Sequence, residues 1–270
     1  MRNLLITFFQ GNENLFTVGS ELMFRSLPKY KTFKKAIVVS NISSSNKKEL
    51  EKYFDYVYEP KHPIQNYCRD RFISYYEFLN LVRDEFDYVL HVDPADVIIQ
   101  NDPFLFFKEH PSKELFLVAE GMKVLENECN TIWANLYNKN IFGHQQDYND
   151  SYVISGGVSG GKLNKFIDLC LLIFINANRV NEKIFLDQAT LNYLYKYFLL
   201  DPTVKICHPL TDNFCATGEA IKWKNVNVNF LNNKVTTLEN LPYYIFHQWD
   251  RTEYANAIKE KQKNLSLIHI

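Results

Sequence analysis

Three aspartates crowd one short stretch, Asp93 and Asp96 in YVLHVDPADV and Asp102 in QNDPF. Val89, Leu90 and Val92 suit a buried strand, so the run closes a strand end with carboxylates. Asp93 and Asp96 are equally at home capping a helix, sitting solvated in a turn, or holding a metal. A hard divalent cation such as Mg²⁺ or Mn²⁺ prefers carboxylate oxygens and keeps positions open for phosphates. In that reading one aspartate is a direct ligand and the other a supporting contact. In the local reading Asp96 caps a turn and Asp102 begins the next one before Pro103.

Further groups with chemical potential lie downstream. YVISGGVSGG places Gly156, Gly157, Gly160 and Gly161 between an apolar strand and a helix. Glycines there let backbone approach a ligand closely, or simply make a tight strand-to-helix turn. No GxxxxGK(S/T) or GxGxxG run is present, which takes support from phosphate-loop and classical dinucleotide-fold readings. FLDQATLN sets Asp187 and Gln188 at a helix start, where the helix dipole favours a carboxylate with or without a ligand. YIFHQWDR puts His247 after a short apolar strand, as a metal ligand or as a packed imidazole. Arg71, on a helix, has Asp70 and Glu77 as surface ion-pair partners within reach.

The elements that must carry these residues alternate along the chain. LLITFF (4–9), AIVVS (36–40), YVYEP (56–60), YVLHVD (88–93) and LFLVAE (115–120) read as strands. Phe72, Tyr76, Leu79, Val82 and Phe86 recur every three or four residues as one buried helix stripe. Residues 160–177 and 185–200 suit helices packed on the sheet, and the polar segment 225–242 suits short strands and loops. In an open α/β sheet ligands bind outside the carboxyl ends of the parallel strands, which is where Asp93 and Asp96 fall.

Composition sets the outer bounds. With 270 residues, 46% of them hydrophobic and 23% charged, the chain suffices for one large α/β domain or two modest ones. Thirty basic against 31 acidic residues leave a net charge of -1, so no global field recruits nucleic acid or an acidic membrane. Five cysteines without CxxC or zinc spacing point to free thiols in a reducing, cytoplasmic compartment. MRNLLITFFQ has no small-residue cleavage site after it and reads as the first buried strand, and LCLLIFI (169–175) is too short to span a bilayer. The C-terminal AIKEKQKNLSLIHI is basic and then apolar, which fits a docking helix or a frayed tail, or a peripheral contact at the inner face of a membrane.

Taken in order, RDRFISYYEFL…FDYVLHVDPADVIIQNDPF, ISGGVSGG, LDQATLN and HQWDR resemble the GT-A-type glycosyltransferases, from about Leu4 to Arg251. The resemblance implies an α/β GT-A fold, a mostly parallel central sheet flanked by helices. It implies one catalytic domain over 1–251, with a nucleotide-binding half (1–120) and a sugar- and acceptor-binding half (121–251), and a C-terminal helix or tail over 252–270. The Asp93-Pro94-Ala95-Asp96 run is one residue longer than a strict DXD element, as in related groups with an Asp-x-x-Asp-Val variant. The resemblance makes Asp96 the chelating residue and Asp93 a contact to metal or donor ribose. ISGGVSGG resembles the donor-sugar loop of two retaining groups, the blood-group-type transferases and the glycogenin-like bacterial galactosyltransferases. That implies donor contacts from Ser155, Gly156 and Gly157, with Thr7 of the first strand beside them. LDQATLN matches the glycogenin-like Asp-Gln pair, so Asp187 orients sugar hydroxyls and Gln188 lies beneath the anomeric carbon. His247 falls where those enzymes place a third metal ligand, a donor set that suits Mn²⁺ better than Mg²⁺. Arg71, with Arg69 near it, matches the helix arginine that approaches the donor diphosphate or the first carboxylate.

The implied activity is metal-dependent hexosyl transfer from a nucleotide-sugar donor, UDP-sugar favoured, to a glycan or glycolipid hydroxyl with retention. The competing class is a non-catalytic GT-A-like protein that binds a nucleotide sugar or serves as a scaffold. A metal-dependent phosphohydrolase wants more carboxylate or histidine ligands, and the seven histidines form no such cluster in the sequence.

Overall fold

Apolar strand runs separated by helical segments can bury both faces of a sheet only by wrapping it in helices. A computed structural model describes residues 1–11, 18–137, 139, 148, 150–180, 186–199, 201–223, 225–232 and 234–266. The first half runs β1 (Asn3–Gln10), α1 (Val18–Ser26), β2 (Lys34–Ser40), α2 (Ser44–Leu50), β3 (Tyr56–Tyr58), α3 (Tyr67–Leu81), β4 (Tyr88–Val92), β5 (Val97–Ile99), α4 (Phe104–Glu109) and β6 (Leu115–Lys123). The second runs α5 (Glu128–Tyr137), β7 (Tyr152–Lys162), α6 (Leu163–Ala177), α7 (Leu186–Tyr197), β8 (Val204–Cys207), β9 (Cys215–Thr217), α8 (Gly218–Lys222), β10 (Asn229–Leu231), β11 (Lys234–Thr236), β12 (Ile245–His247) and α9 (Ala255–Ser266).

Seven strands form the central sheet in the order β3-β2-β1-β4-β7-β6-β8. Every neighbouring pair is parallel except those of β7, which runs antiparallel to both β4 and β6. Side chains alternate across the sheet as the period of two requires. Leu4, Ile6 and Phe8 of β1 pack with Phe72, Tyr75 and Leu79 of α3 and Phe166, Cys170 and Ile173 of α6. Leu5, Ile37, Leu90 and Val92 join Phe104, Phe107 and Phe116 on the opposite face. A second sheet, β5-β12-β9, pairs β12 antiparallel with β5 and parallel with β9, setting His247 opposite Val97 and Thr217.

Several expectations need correction. The glycine run is no strand-to-helix turn: residues 156, 157, 160 and 161 all belong to β7, and the helix expected from 160 begins at Leu163. A Cβ on Gly160 would stand 2.6 Å from the Val89 carbonyl oxygen, and one on Gly161 would strike the carbonyl oxygen of Glu114. Those two glycines admit neighbouring backbone rather than a ligand. The α3 stripe is also shifted: the helix ends at Leu81, so Val82 caps it and Phe86 lies beyond it, while Tyr75 and Phe78 supply buried contacts that the stripe omitted. The third strand stops at Tyr58 and the β6 strand runs on to Lys123. The helix expected over 185–200 spans Leu186–Tyr197; 185 and 200 lie outside the described residues, as do 267–270 of the expected tail. All five cysteines are free, and no described helix is long and apolar enough to cross a membrane.

Candidate functional site

Proline cannot donate to a sheet ladder, so β4 stops where Asp93 meets Pro94. Asp93 makes the last bond, its N–H donating to the Gly157 carbonyl at 2.8 Å. The chain then turns through Ala95 into Asp96 just ahead of β5. Because β5 pairs with β12, this turn meets His247, whose Nε2 lies 3.6 Å from Asp96 Oδ1. Asp93, Asp96 and His247 offer ligand atoms that all lie within 4.8 Å of one another. A hard cation with bonds of about 2.1 Å closes such a spread with small side-chain adjustments.

The surroundings fit a cation. A Cβ on Gly157 would stand 2.5 Å from His247 Nε2 and 2.7 Å from Asp93 Oδ2, so the missing side chain keeps the space between imidazole and carboxylate open. Gly157 reaches this place because the β6–β7 register slips between the Leu117–Ser159 and Ala119–Ile154 pairs, a bulge over the SGGV segment. Bulges bend a strand and re-aim what it carries. Ser155 Oγ lies 3.2 Å from His247 Nδ1 and accepts the Gly157 N–H at 3.3 Å. With a cation on Nε2, the imidazole proton sits on Nδ1 and is donated to Ser155.

Arg71 is 2% exposed, and its place overturns the surface ion-pair alternative. Its guanidinium donates to Asp93 Oδ1, to Asp187 Oδ2 and, at 2.8 Å, to the Gly156 carbonyl. Asp70 is held instead by Arg69, and Glu77 by His62. Burial pushes the Asp93 carboxyl upward, but Arg71 with His91 and His247 overcomes it and holds Asp93 below the ordinary carboxylate range. Asp96 goes the other way: burial raises it, with the neighbouring Asp93 adding to the rise. His91, fully buried, is lowered to about 3 by desolvation and by Arg71, so it stays neutral 3.7 Å from Asp93 Oδ1.

Asp187 and Gln188 lie across β7. Asp187 opens α7, its Oδ1 accepting the Gln188 N–H at 2.7 Å, so the dipole-favoured helix carboxylate and the partner of Arg71 are one residue. Gln188 Oε1 accepts the Gly156 N–H at 3.3 Å, and Nε2 donates to Asn130 Oδ1 at 3.2 Å. Asn192 donates to the same Asn130 oxygen at 3.3 Å and accepts the Ile154 N–H at 2.8 Å. The orientation of the Gln188 amide is thus set from α5, α7 and β7 together. Thr7 lies buried in β1 with its hydroxyl unpartnered, and Ser155 faces His247.

Three nearby residues, Asn130, His91 and Glu120, escaped the sequence reading, and Arg251 entered it only as the end of a motif, without a role. Asn130 sits in an undistinguished polar run, and His91 reads as a core residue. Glu120, 2% exposed, ends an apolar run just as Asp93 does, a sign the sequence does carry. Arg251 Nη2 stands 4.0 Å from Asp96 Oδ2.

No family model matches the chain, and no curated protein matches it. Among solved structures, the crystal structure of an active-site mutant of LgtC, a glycosyltransferase, aligns with a TM-score of 0.58 at 14% identity, covering 96% of this chain and 95% of that one. The chain has the GT-A fold. At that identity the likeness speaks for the fold alone.

Proposed function

We propose that this chain is a metal-dependent, hexosyl-transferring glycosyltransferase. It moves a sugar from a nucleotide-diphosphate donor, a UDP-sugar, to a hydroxyl of a glycan or glycolipid with retention at the anomeric carbon. The observation that carries this reading is the convergence of Asp93, Asp96 and His247, joined through Arg71 to Asp187, at the carboxyl end of β4. Asp93, Asp96 and His247 would hold Mn²⁺, which would supply positive charge to stabilise a departing diphosphate.

The chain's own residues divide the remaining work. Arg71 keeps Asp93 ionised and fixed, and ties its position to that of Asp187. Ser155 holds the His247 ring with Nε2 toward the carboxylates. Asp187 orients sugar hydroxyls through its carboxylate. Gln188, its amide fixed by Gly156 and Asn130, turns an oxygen dipole toward the positive charge that grows at the anomeric carbon. An amide is a weak nucleophile, which favours delivery of the acceptor hydroxyl on the leaving-group side over a stable covalent intermediate.

The test is a thermal-shift screen of UDP-, GDP-, CMP- and dTDP-sugars with and without Mn²⁺, since a ligand that binds only the folded state raises the melting temperature. A shift requiring both a UDP-sugar and Mn²⁺ is expected. No shift with any pair would sink the reading, and binding without any transfer or hydrolysis of the donor would move it to the non-catalytic class.

A further inference from the structure

The turn after His247 holds three features that the metal site alone does not require. Gln248 takes a left-handed backbone, φ 58° and ψ 35°, which a long side chain rarely adopts. Gly218 packs so tightly on the Gln248 carbonyl that any Cβ there would collide with it. Glu120, buried in β6, accepts a hydrogen bond from Gln248 Nε2 at 3.2 Å.

Gln248 also binds elsewhere. Its N–H donates to the Asp96 carbonyl at 2.7 Å, and its Oε1 accepts the Glu219 N–H at 3.1 Å. One residue therefore ties the Asp96 turn, the start of α8 and β6 together. Its left-handed backbone reverses the chain, so that Arg251 returns to pair with Glu219 at 3.0 Å and to approach Asp96. A glycine would adopt this backbone freely and would forfeit both amide bonds. What the position uses is the side chain.

We propose that Gln248, anchored by Glu120, is a positioning residue for the cation site, fixing the separation between His247 and Asp96. This rests on the reading of Asp93, Asp96 and His247 as metal ligands. His247 and Asp96 stand on different segments, and metal sites tolerate errors of only about 0.2 Å in their ligand distances. The β5–β12 ladder sets His247 beside Val97, and the hydrogen bond from the Gln248 N–H to the Asp96 carbonyl, with the amide bonds to Glu120 and Glu219, holds the two segments in register beyond the end of that ladder.

The experiment measures the Mn²⁺ dissociation constant by electron paramagnetic resonance of free Mn²⁺, with melting curves alongside, on the full chain and on Q248N, E120A and E120Q. Asparagine tolerates the left-handed backbone, but its amide is too short to reach Glu120. Q248N and E120A are expected to bind Mn²⁺ about tenfold more weakly or worse, as for other partners of metal ligands. E120Q, which keeps an acceptor oxygen, is expected to stay close to the native affinity. Native Mn²⁺ affinity in Q248N, even with a lowered melting temperature, overturns the proposal. If Q248N does not fold, the glutamate pair decides: equal affinities in E120A and E120Q overturn it. A native chain that binds no Mn²⁺ strikes the metal-site reading itself, a result distinct from either.

Discussion

Gly157→Ala is the sharpest test of the cation site, because it adds one carbon at a known place. Built on the native backbone, that carbon lies 2.5 Å from His247 Nε2, 2.6 Å from Cε1 and 2.7 Å from Asp93 Oδ2. Ordinary contacts between such atoms are about 3.5 Å, so the ring, the carboxylate or β7 must move by roughly 1 Å in sum. None moves easily: His247 is buried and bonded to Ser155, Asp93 is clamped by Arg71, and β7 lies in mid-sheet between β4 and β6. Overpacking of this kind costs about 1–3 kcal/mol of fold stability. A 1 Å displacement exceeds the tolerance of metal coordination several-fold, so Mn²⁺ affinity should fall about 10- to 100-fold, or roughly 1.4–2.7 kcal/mol. Titration calorimetry with Mn²⁺ reads the affinity and urea unfolding reads the stability. Gly156→Ala is the control, since its Cβ meets Gln188 and Asp187 at 3.3–3.4 Å and should leave Mn²⁺ binding intact. Native Mn²⁺ affinity in Gly157→Ala would refute the placement of a cation between these side chains.

Three further outcomes are expected. Arg71→Met strands Asp93 and Asp187 without their buried cation and should cost about 3–5 kcal/mol in urea unfolding; a loss below about 1 kcal/mol would show that the pairing is weak. Asp96→Asn should raise the melting temperature of the metal-free chain while abolishing its response to Mn²⁺. The fold raises the pKa of Asp96, so the stabilising contribution of its proton is present below the ordinary carboxylate pKa and lost as pH rises through the raised value. The gain from Asn should therefore be seen at pH 7 and vanish at acid pH, and an equal gain at both would contradict this account. Gln188→Ala should lower turnover far more than donor affinity, with Asn130→Ala following in the same direction to a smaller extent; equal losses in binding and turnover would count against a place beneath the anomeric carbon.

Five of the parallel strands, β1, β2, β3, β4 and β6, were legible because β-branched apolar runs bounded by polar residues leave little else to form, whereas the short edge strand β8 escaped notice. Strand β7 was not legible either. Its glycines carry no strand preference of their own, and what makes them strand is the closure of β4 and β6 around them. Asp93, Asp96 and His247 stood out by chemistry at strand ends, but the β5–β12 register that joins them is a tertiary fact with no local trace. Arg71 is harder still. Arginine is so rarely fully buried unless paired that the residues alone suggest a surface ion pair; only the resemblance pointed Arg71 toward the first carboxylate, and nothing pointed it toward Asp187. Glu120 differs, since a carboxylate ending an apolar run is the same sign that drew notice to Asp93.

The double attachment of Arg71 bears on how the molecule breathes. Lifting α7 away would part Asp187 from a guanidinium that stays behind with Asp93. Such an excursion breaks a buried ion pair, so amide hydrogens of α7 and of the β4 end should exchange more slowly than those of the surface helices. It also means that Asp93 and Asp187 cannot be changed one at a time: a substitution at Asp187 alters the field at Asp93 through the shared guanidinium, and tolerated variants at either position should carry compensating changes around the other.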